Sequence, residues 1–254
     1  MTSKIEIQGI SKYYNEQKVL DNVNLKIKSG EFVTLLGPSG CGKTTLLKII
    51  ADLEKPSAGI VLIDGADNEE ARKGGKYGMV FQTPALLDWR TAIDNIKLPL
   101  EIAGVPRQRR QEIAQEQLEL VDLKGYETHY PFELSGGMRQ RVGIARALSM
   151  DPDILLMDEP FSALDEFTRE RLHGDLLRIW HKTGKTIVFV THNISEAVYL
   201  SDRVCVFTTH PASLAEVVEI TLPRPRKLIR NAPEYFETVS HIRKMFEEYH
   251  YESI

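Results

Sequence analysis

Phe32-Val33-Thr34-Leu35-Leu36-Gly37-Pro38-Ser39-Gly40-Cys41-Gly42-Lys43-Thr44 passes from a continuous apolar run into a glycine-rich turn, and a helical period follows from about Lys43 to Ala51. An apolar run without alternation is a strand buried on both faces. The turn has the spacing of a phosphate-binding loop: Gly37, four residues, Gly42, Lys43 and Thr44. Its glycines let successive backbone amides turn inward, and the helix that follows adds the partial positive charge of its first turn, so the loop suits a polyphosphate. On this reading Gly37, Pro38, Ser39, Gly40, Cys41, Gly42, Lys43, Thr44 and Thr45 contact the nucleotide phosphates, with Lys43 reaching the β- and γ-phosphates and Thr44 a ligand to Mg2+. Cys41 reads first as a small filler of the loop and second as a thiol that the amides could activate.

Outward from this loop the pattern keeps alternating between strand and helix. Ile5, Ile7 and Ile10, then Val23, Leu25 and Ile27, alternate with polar residues and predict half-buried strands of an antiparallel sheet. Ile60 to Ile63 and Met79 to Phe81 are further strands, and a helical period runs from Asp88 to about Leu123. Gly104 and Pro106 divide it into two helices, and Pro99 should kink or shorten the first. Strands return at Ile154 to Met157, Ile187 to Val190 and Val204 to Phe207, with a helix from Glu166 to Lys182 closed by Gly184. Phe236, Val239, Ile242, Phe246 and Tyr249 predict a closing helix. The fold class is therefore α/β: a P-loop nucleotide-binding core with a parallel sheet flanked by helices, an N-terminal antiparallel β subdomain and an inserted α-helical subdomain. The boundaries expected within a single domain, 1–254, are 1–87 for the β subdomain and first part of the core, 88–150 for the helical insert, 151–210 for the rest of the core and 211–254 for a C-terminal extension.

Charge and cysteine usage narrow the function. Lys plus Arg number 32 against 36 Asp plus Glu, a formal net charge of −4, so the whole-molecule field does not draw in nucleic acid. The two cysteines, Cys41 and Cys205, make no disulfide framework. No apolar run approaches the ~18 residues of a membrane span and MTSKIEIQG has no signal pattern, so work at a membrane requires a partner.

Ile154-Leu155-Leu156-Met157-Asp158-Glu159 is a buried-strand run ending in two acids. Asp158 suits the Mg2+ and Glu159 an attacking water; the alternative is two acids that simply begin the loop after a strand. Leu134-Ser135-Gly136-Gly137-Met138-Arg139-Gln140-Arg141 then resembles the signature of ABC transporter ATPases. Gln82 after the Met79 to Phe81 strand, Ser162-Ala163-Leu164-Asp165 after Glu159, and His192 after the Ile187 to Val190 strand follow in that family's order.

The resemblance implies an ABC-type helical subdomain, ATP and Mg2+ as cofactors, and an ATPase coupled to transmembrane transport. It places Tyr14, with Tyr13 as competitor, against the adenine; Lys43, Gln82, Glu159 and His192 in the catalytic set; and Thr44, Gln82 and Asp158 at the metal. Ser135, Gly136, Gly137 and Asp165 serve a nucleotide shared with a second ATPase subunit, identical or closely paralogous, in a head-to-tail pair. No role falls to His129, His173, His181, His210, His241 or His250. The other implied partners are transmembrane permease subunits and, indirectly, an extracytoplasmic solute-binding protein; nucleic acid is not among them, and the location is peripheral, on the cytoplasmic face of the cell membrane. The Phe81 to Arg90 stretch, Asp94-Asn95 and Leu222-Pro223-Arg224-Pro225-Arg226 are similar to importers of nitrate, sulfonate, taurine and thiamine-precursor type, which implies a small anionic or heterocyclic solute. Leu86, Leu87 and Trp89 are either contacts for a permease helix or subdomain core. The competing reading is a non-transport ABC ATPase that remodels a protein or nucleic-acid complex.

Overall fold

The computed structural model describes residues 3–209 and 211–251, with side chains through residue 249. Residues 1, 2, 210 and 252–254 lie outside the described residues, so the outer limits of the expected domain and the expectation about His210 fall outside them too, as does the side chain of His250. The chain forms two compact units, Met1–Gly74 with Thr186–Ile254, and Gly75–Lys185.

In the first unit the alternating isoleucines form one wall of an antiparallel sheet. β1 (Ser3–Tyr14) pairs with β2 (Gln17–Lys28), setting Ile5 opposite Ile27, Ile7 opposite Leu25 and Ile10 opposite Val23, all buried. β3 (Phe32–Leu36) is buried at every residue, as its unbroken apolar run requires, and leads through the glycine-rich turn to α1 (Lys43–Ile50). β4 (Ala58–Ile63) returns antiparallel to the other side of β1, and the short β5 (Ala66–Asp67) continues that sheet before α2 (Asn68–Lys73).

The second unit opens on β6 (Tyr77–Val80) and continues through α3 (Ala92–Ile102), α4 (Arg107–Leu120), α5 (Gly136–Leu148), β7 (Ile154–Asp158) and α6 (Glu166–Thr183). β6 and β7 pair in parallel from Tyr77 opposite Ile154 to Val80 opposite Met157. The starts of the helices are written in the sequence: Thr91, Ser135 and Asp165 each accept a hydrogen bond from a first-turn amide, and Gly184 ends α6 in the left-handed conformation at φ 64°. The expected shortening at Pro99 is not found. α3 runs on to Ile102, because Pro99 falls late in the helix, where its missing amide costs one hydrogen bond and Ala103 N still reaches Pro99 O at 3.0 Å. The strand expected to include Phe81 stops at Val80.

The chain then completes the first unit with β8 (Thr186–Thr191), α7 (Ile194–Leu200), β9 (Arg203–Phe207), β10 (Leu214–Glu219) and α8 (Pro233–Tyr251). β3 lies between β8 and β9, parallel to both, and β10 adds an antiparallel edge to β9. Within α8 the buried face differs from the expected one. Tyr235, Val239 and Ile242 are buried, whereas Phe236 is 58% exposed and Tyr249 40%. The spacing from Phe236 to Tyr249 is shorter than the helical repeat and drifts off one face, and the stripe through Tyr235 keeps to it. Cys205 lies inside β9, where burial pushes its thiol up to about 12, so it is inert at neutral pH.

Candidate nucleotide-binding and hydrolysis site

The phosphate loop is built by close approach. A Cβ on Gly37 would lie 2.9 Å from Cys41 Sγ, and Gly42 holds φ 123°, a conformation that side chains rarely adopt. Cys41 is buried against Gly37, which fits the filler reading of its side chain. Lys43 is only 3% exposed, and its Nζ donates to Gly37 O at 2.8 Å and Pro38 O at 2.7 Å, with Cys41 Sγ at 3.8 Å. The ammonium is thus folded over its own loop, held by neutral carbonyls that a more strongly accepting anion can replace. Thr44 and Thr45 are half-buried in the first turn of α1, and Ser39 and Gly40 form the exposed tip.

At the carboxyl end of β8 a tight set of bonds fixes the residue before α7. Asn193 N donates to Thr191 Oγ1 at 3.0 Å, Glu196 N donates to Asn193 Oδ1 at 3.0 Å, and Thr191 Oγ1 donates to Glu196 Oε2. This leaves His192 exposed at the strand end. Tyr13 and Tyr14 finish β1 and are 44% and 43% exposed. Neither side chain is buried: the register with β2 shifts between Lys12 and Tyr13, and the pair lies at the strand's end. Lys12 Nζ lies 4.9 Å from the centroid of the Tyr14 ring and is itself tied to Lys55 O at 2.7 Å, whereas Tyr13 is met by Lys18 at 5.6 Å. Tyr14→Ala is expected to weaken ATP affinity about 10-fold or more while Tyr13→Ala changes it less than about twofold, the loss of one stacked face; equal effects in a nucleotide titration would remove the assignment.

The second unit gathers a different set. β7 delivers Asp158, and Glu159 follows at φ 44°, a left-handed backbone that a residue with a Cβ adopts at a cost. Glu159 O accepts from Ser162 N at 3.2 Å and Ser162 Oγ at 3.0 Å, closing the turn that carries the carboxylate. Asp165 caps α6 by accepting from Thr168 N at 2.9 Å, and that backbone donor holds its carboxyl below the usual range. Ser135 Oγ caps α5 by accepting from Met138 N at 3.3 Å, which leaves the hydroxyl proton to donate elsewhere. Gly137 is required here, since a Cβ would come within 2.6 Å of Thr168 Cγ2.

Gln82, Gly136, Gln140, Pro160 and Leu164 line one cavity of about 190 Å³ in this unit, so Gln82, the signature and the turn after Glu159 are brought together. Two residues of α5 that carried no assigned role, Gln140 within the signature stretch and Arg146 beyond it, hold this arrangement. Gln140 Nε2 donates to Phe81 O at 3.3 Å, and Arg146 donates to Ala85 O at 2.8 Å and Pro84 O at 2.5 Å; burial lowers the Arg146 guanidinium from its ordinary value. Their signal was a polar residue on the inward stripe of an otherwise apolar helix face.

Among the described residues no group of three or more His, Cys, Asp and Glu side chains is placed to hold a metal. The donors assigned to Mg2+ are a threonine hydroxyl, a glutamine amide and one carboxylate, all hard oxygen ligands, and Mg2+ fits such a sparse set because it keeps water and substrate phosphate in its shell.

A buried strand running through a phosphate loop into a helix defines the class of phosphate-loop ATPases, and β7, which ends in Asp158 with Glu159 after it in a left-handed backbone, carries that class's acids. Residues 20–162 match the ABC transporter family. The chain is 49% identical to an uncharacterized ABC transporter ATP-binding protein of Methanocaldococcus jannaschii over 93% of this chain and 89% of that protein. It is 43% identical to an aliphatic sulfonates import ATP-binding protein of Bacillus cereus, over 96% of each, and 42% identical to a taurine import ATP-binding protein of Yersinia pestis, over 91% and 92%. A solved ATP-binding cassette in a dimeric, post-hydrolysis state bound to ADP and Pi superposes with a TM-score of 0.75 at 35% identity, covering 86% of this chain and all of the other. The chain belongs to the ABC transporter family, as one of its ATP-binding subunits, and these subunits are ATPases coupled to transport.

Proposed function

We propose that this subunit energises the import of a small organic anion of the sulfonate or taurine class, as half of a head-to-tail pair of ATPase subunits docked on a permease at the cytoplasmic face of the membrane. The observation that carries the solute class is end-to-end likeness, at 43% and 42% identity, to two import proteins that both serve organic sulfonates. Among the described residues no helix is long and apolar enough to cross a membrane, which agrees with a permease supplying the spanning part.

In this reading Lys43 exchanges the carbonyls of Gly37 and Pro38 for oxygens of the β- and γ-phosphates, while the loop amides and the start of α1 hold the rest of the chain of phosphates. Tyr14 stacks on the base. Thr44, Asp158 and Gln82 hold Mg2+, which offsets charge on the phosphate oxygens. Glu159 accepts a proton from the attacking water, and His192 donates to the γ-phosphate. Ser135 and Gly137 present a hydroxyl and a backbone amide to the nucleotide held by the other subunit, with Asp165 facing the same seam. ATP then closes the pair and its hydrolysis lets the pair reopen.

The permease contact proposed for Leu86, Leu87 and Trp89 lies in the second unit, which also carries an apolar groove of about 320 Å³, lined by Tyr77, Met79, Phe81, Leu98, Ile102 and Met150, that suits one face of a short amphipathic helix. Trp89 is 75% exposed, so the core reading of that side chain falls. Trp89→Ala is expected to leave the melting temperature and ATPase activity of the isolated chain unchanged and to lower solute uptake at least about threefold, as loss of an aromatic anchor does; uptake equal to wild type would place the contact elsewhere.

The test of the whole reading is ATPase activity of the complex with its permease in lipid, with and without binding proteins loaded with sulfonate, taurine, nitrate or a pyrimidine precursor. Stimulation by the sulfonate or taurine form supports the proposal, and stimulation only by another solute replaces the solute class. Indifference to all of them favours a non-transport role.

A further inference from the structure

Helix α7 has seven residues, too few to hold a helix in water unaided, yet its N-cap, Asn193, directly follows His192. Its amino-terminal end is fixed by the Thr191, Asn193 and Glu196 bonds described above, and in addition Tyr235 of α8 donates its hydroxyl to Ser195 O at 2.9 Å. Its carboxyl end is fixed by the segment Leu222–Arg226. Ser201 N reaches Ala197 O at 3.1 Å, and the helix leaves over the carbonyls of Val198, Tyr199 and Leu200. Arg226 Nη1 lies 2.8 Å from Val198 O, 3.2 Å from Tyr199 O and 2.6 Å from Ser201 O, and Arg224 Nη2 takes Leu200 O at 2.7 Å. Every carbonyl that α7 leaves over therefore meets one of two guanidinium groups, whose charge also suits that end of a helix.

The arrangement is costly. Arg226 is 1% exposed, and burial pushes its guanidinium down to about 10. The remaining donors go to Ile220 O and Leu222 O at 3.3 and 3.4 Å, so the side chain is satisfied by backbone carbonyls on all sides. Arg224 also donates to Asp202 Oδ1 at 3.0 Å, and Asp202 Oδ2 accepts from Phe32 N, which ties the same clamp to the start of the strand that feeds the phosphate loop.

We propose that Arg224, Arg226 and Tyr235 are positioning residues for hydrolysis: a carboxy-terminal brace that holds α7 at both ends and so keeps His192 in place for the γ-phosphate. The inference rests on the role given to His192 above. It gives the Leu222–Arg226 segment, which the sequence marked only as a subfamily resemblance, a physical task.

The test uses the full chain and measures kcat and KM for ATP per nucleotide-binding-competent molecule, together with amide hydrogen exchange, for His192→Ala, Arg224→Ala, Arg224→Lys and Tyr235→Phe. Arg226 is left intact because its loss endangers folding. Expected are loss of turnover in His192→Ala, and a fall in kcat of about 3- to 10-fold with KM within about twofold in Arg224→Ala and Tyr235→Phe. Amides of α7 should exchange faster while those of β3 do not change, and Arg224→Lys, which can still meet Leu200 O, should recover part of kcat. Faster exchange in α7 with wild-type kcat would reduce the brace to a stabilising contact, and a matched rise in KM would make it part of nucleotide binding; either overturns the inference and leaves the function standing. Wild-type turnover in His192→Ala would remove the role of His192 and the inference with it.

Discussion

Glu159→Gln is expected to bind ATP as tightly as the wild type and to hydrolyse it about 10²- to 10⁴-fold more slowly, the contribution of a placed general base. Glutamine keeps the length of the side chain and accepts the left-handed backbone at φ 44° no less readily than glutamate, so the turn closed by Ser162 should survive. What is lost is the ability to take a proton. With hydrolysis blocked, ATP should hold two chains together, visible as a dimer in size-exclusion chromatography that the wild type shows only transiently. Glu159→Gly gives a second readout, because glycine removes the backbone cost, of the order of 1 kcal/mol, together with the carboxylate. That variant should be at least as stable as wild type and equally inactive. Turnover near the wild-type rate in either variant would show that another group activates the water.

That a strained residue and the proposed base coincide says which parts of the site could be read from sequence. The passage from β3 through the loop to α1 was legible because each step has its own composition: unbroken apolar residues, glycines at fixed spacing, then a lysine and threonine opening a helix. β7 and its terminal acids were legible for the same reason. Helix α7 was not, since seven residues give too little periodicity to separate helix from loop, and β10 was missed because its half-buried edge position leaves no clean alternation. Arg226 illustrates the harder case. A charged residue directly after a proline reads as exposed chain, and only the tertiary structure reveals that carbonyls from two segments, 198–201 and 220–222, converge on it. Burial does not separate Tyr13 from Tyr14: the alternation rule assumes a regular strand, and a register shift lies beside them.

A large stability effect outside the hydrophobic core is expected at Arg141, the last residue of the signature stretch. Only 7% of it is exposed, and its guanidinium divides its donors between two elements of the second unit: Nη1 takes Val121 O at 3.0 Å, just past the end of α4, and Nη2 pairs with the Asp175 carboxylate on α6. Arg178 adds to the same knot, donating to Leu120 O at 3.3 Å and to the Asp122 carboxylate. Removing one partner of a buried pair leaves the other desolvated, so Arg141→Ala should cost about 3–5 kcal/mol, which for a chain of this size lowers the melting temperature by roughly 10 °C. Replacing both partners is a different experiment. Arg141→Met with Asp175→Leu abolishes the pair without stranding a charge, and a large part of the loss should return, the remainder reflecting the carbonyls of Val121 and Asp122 left without their donor. A melting temperature for Arg141→Ala within about 2 °C of wild type would mean that water or Arg178 replaces the lost donors, and the knot that ties the signature helix to α4 and α6 would then be weaker than its geometry indicates.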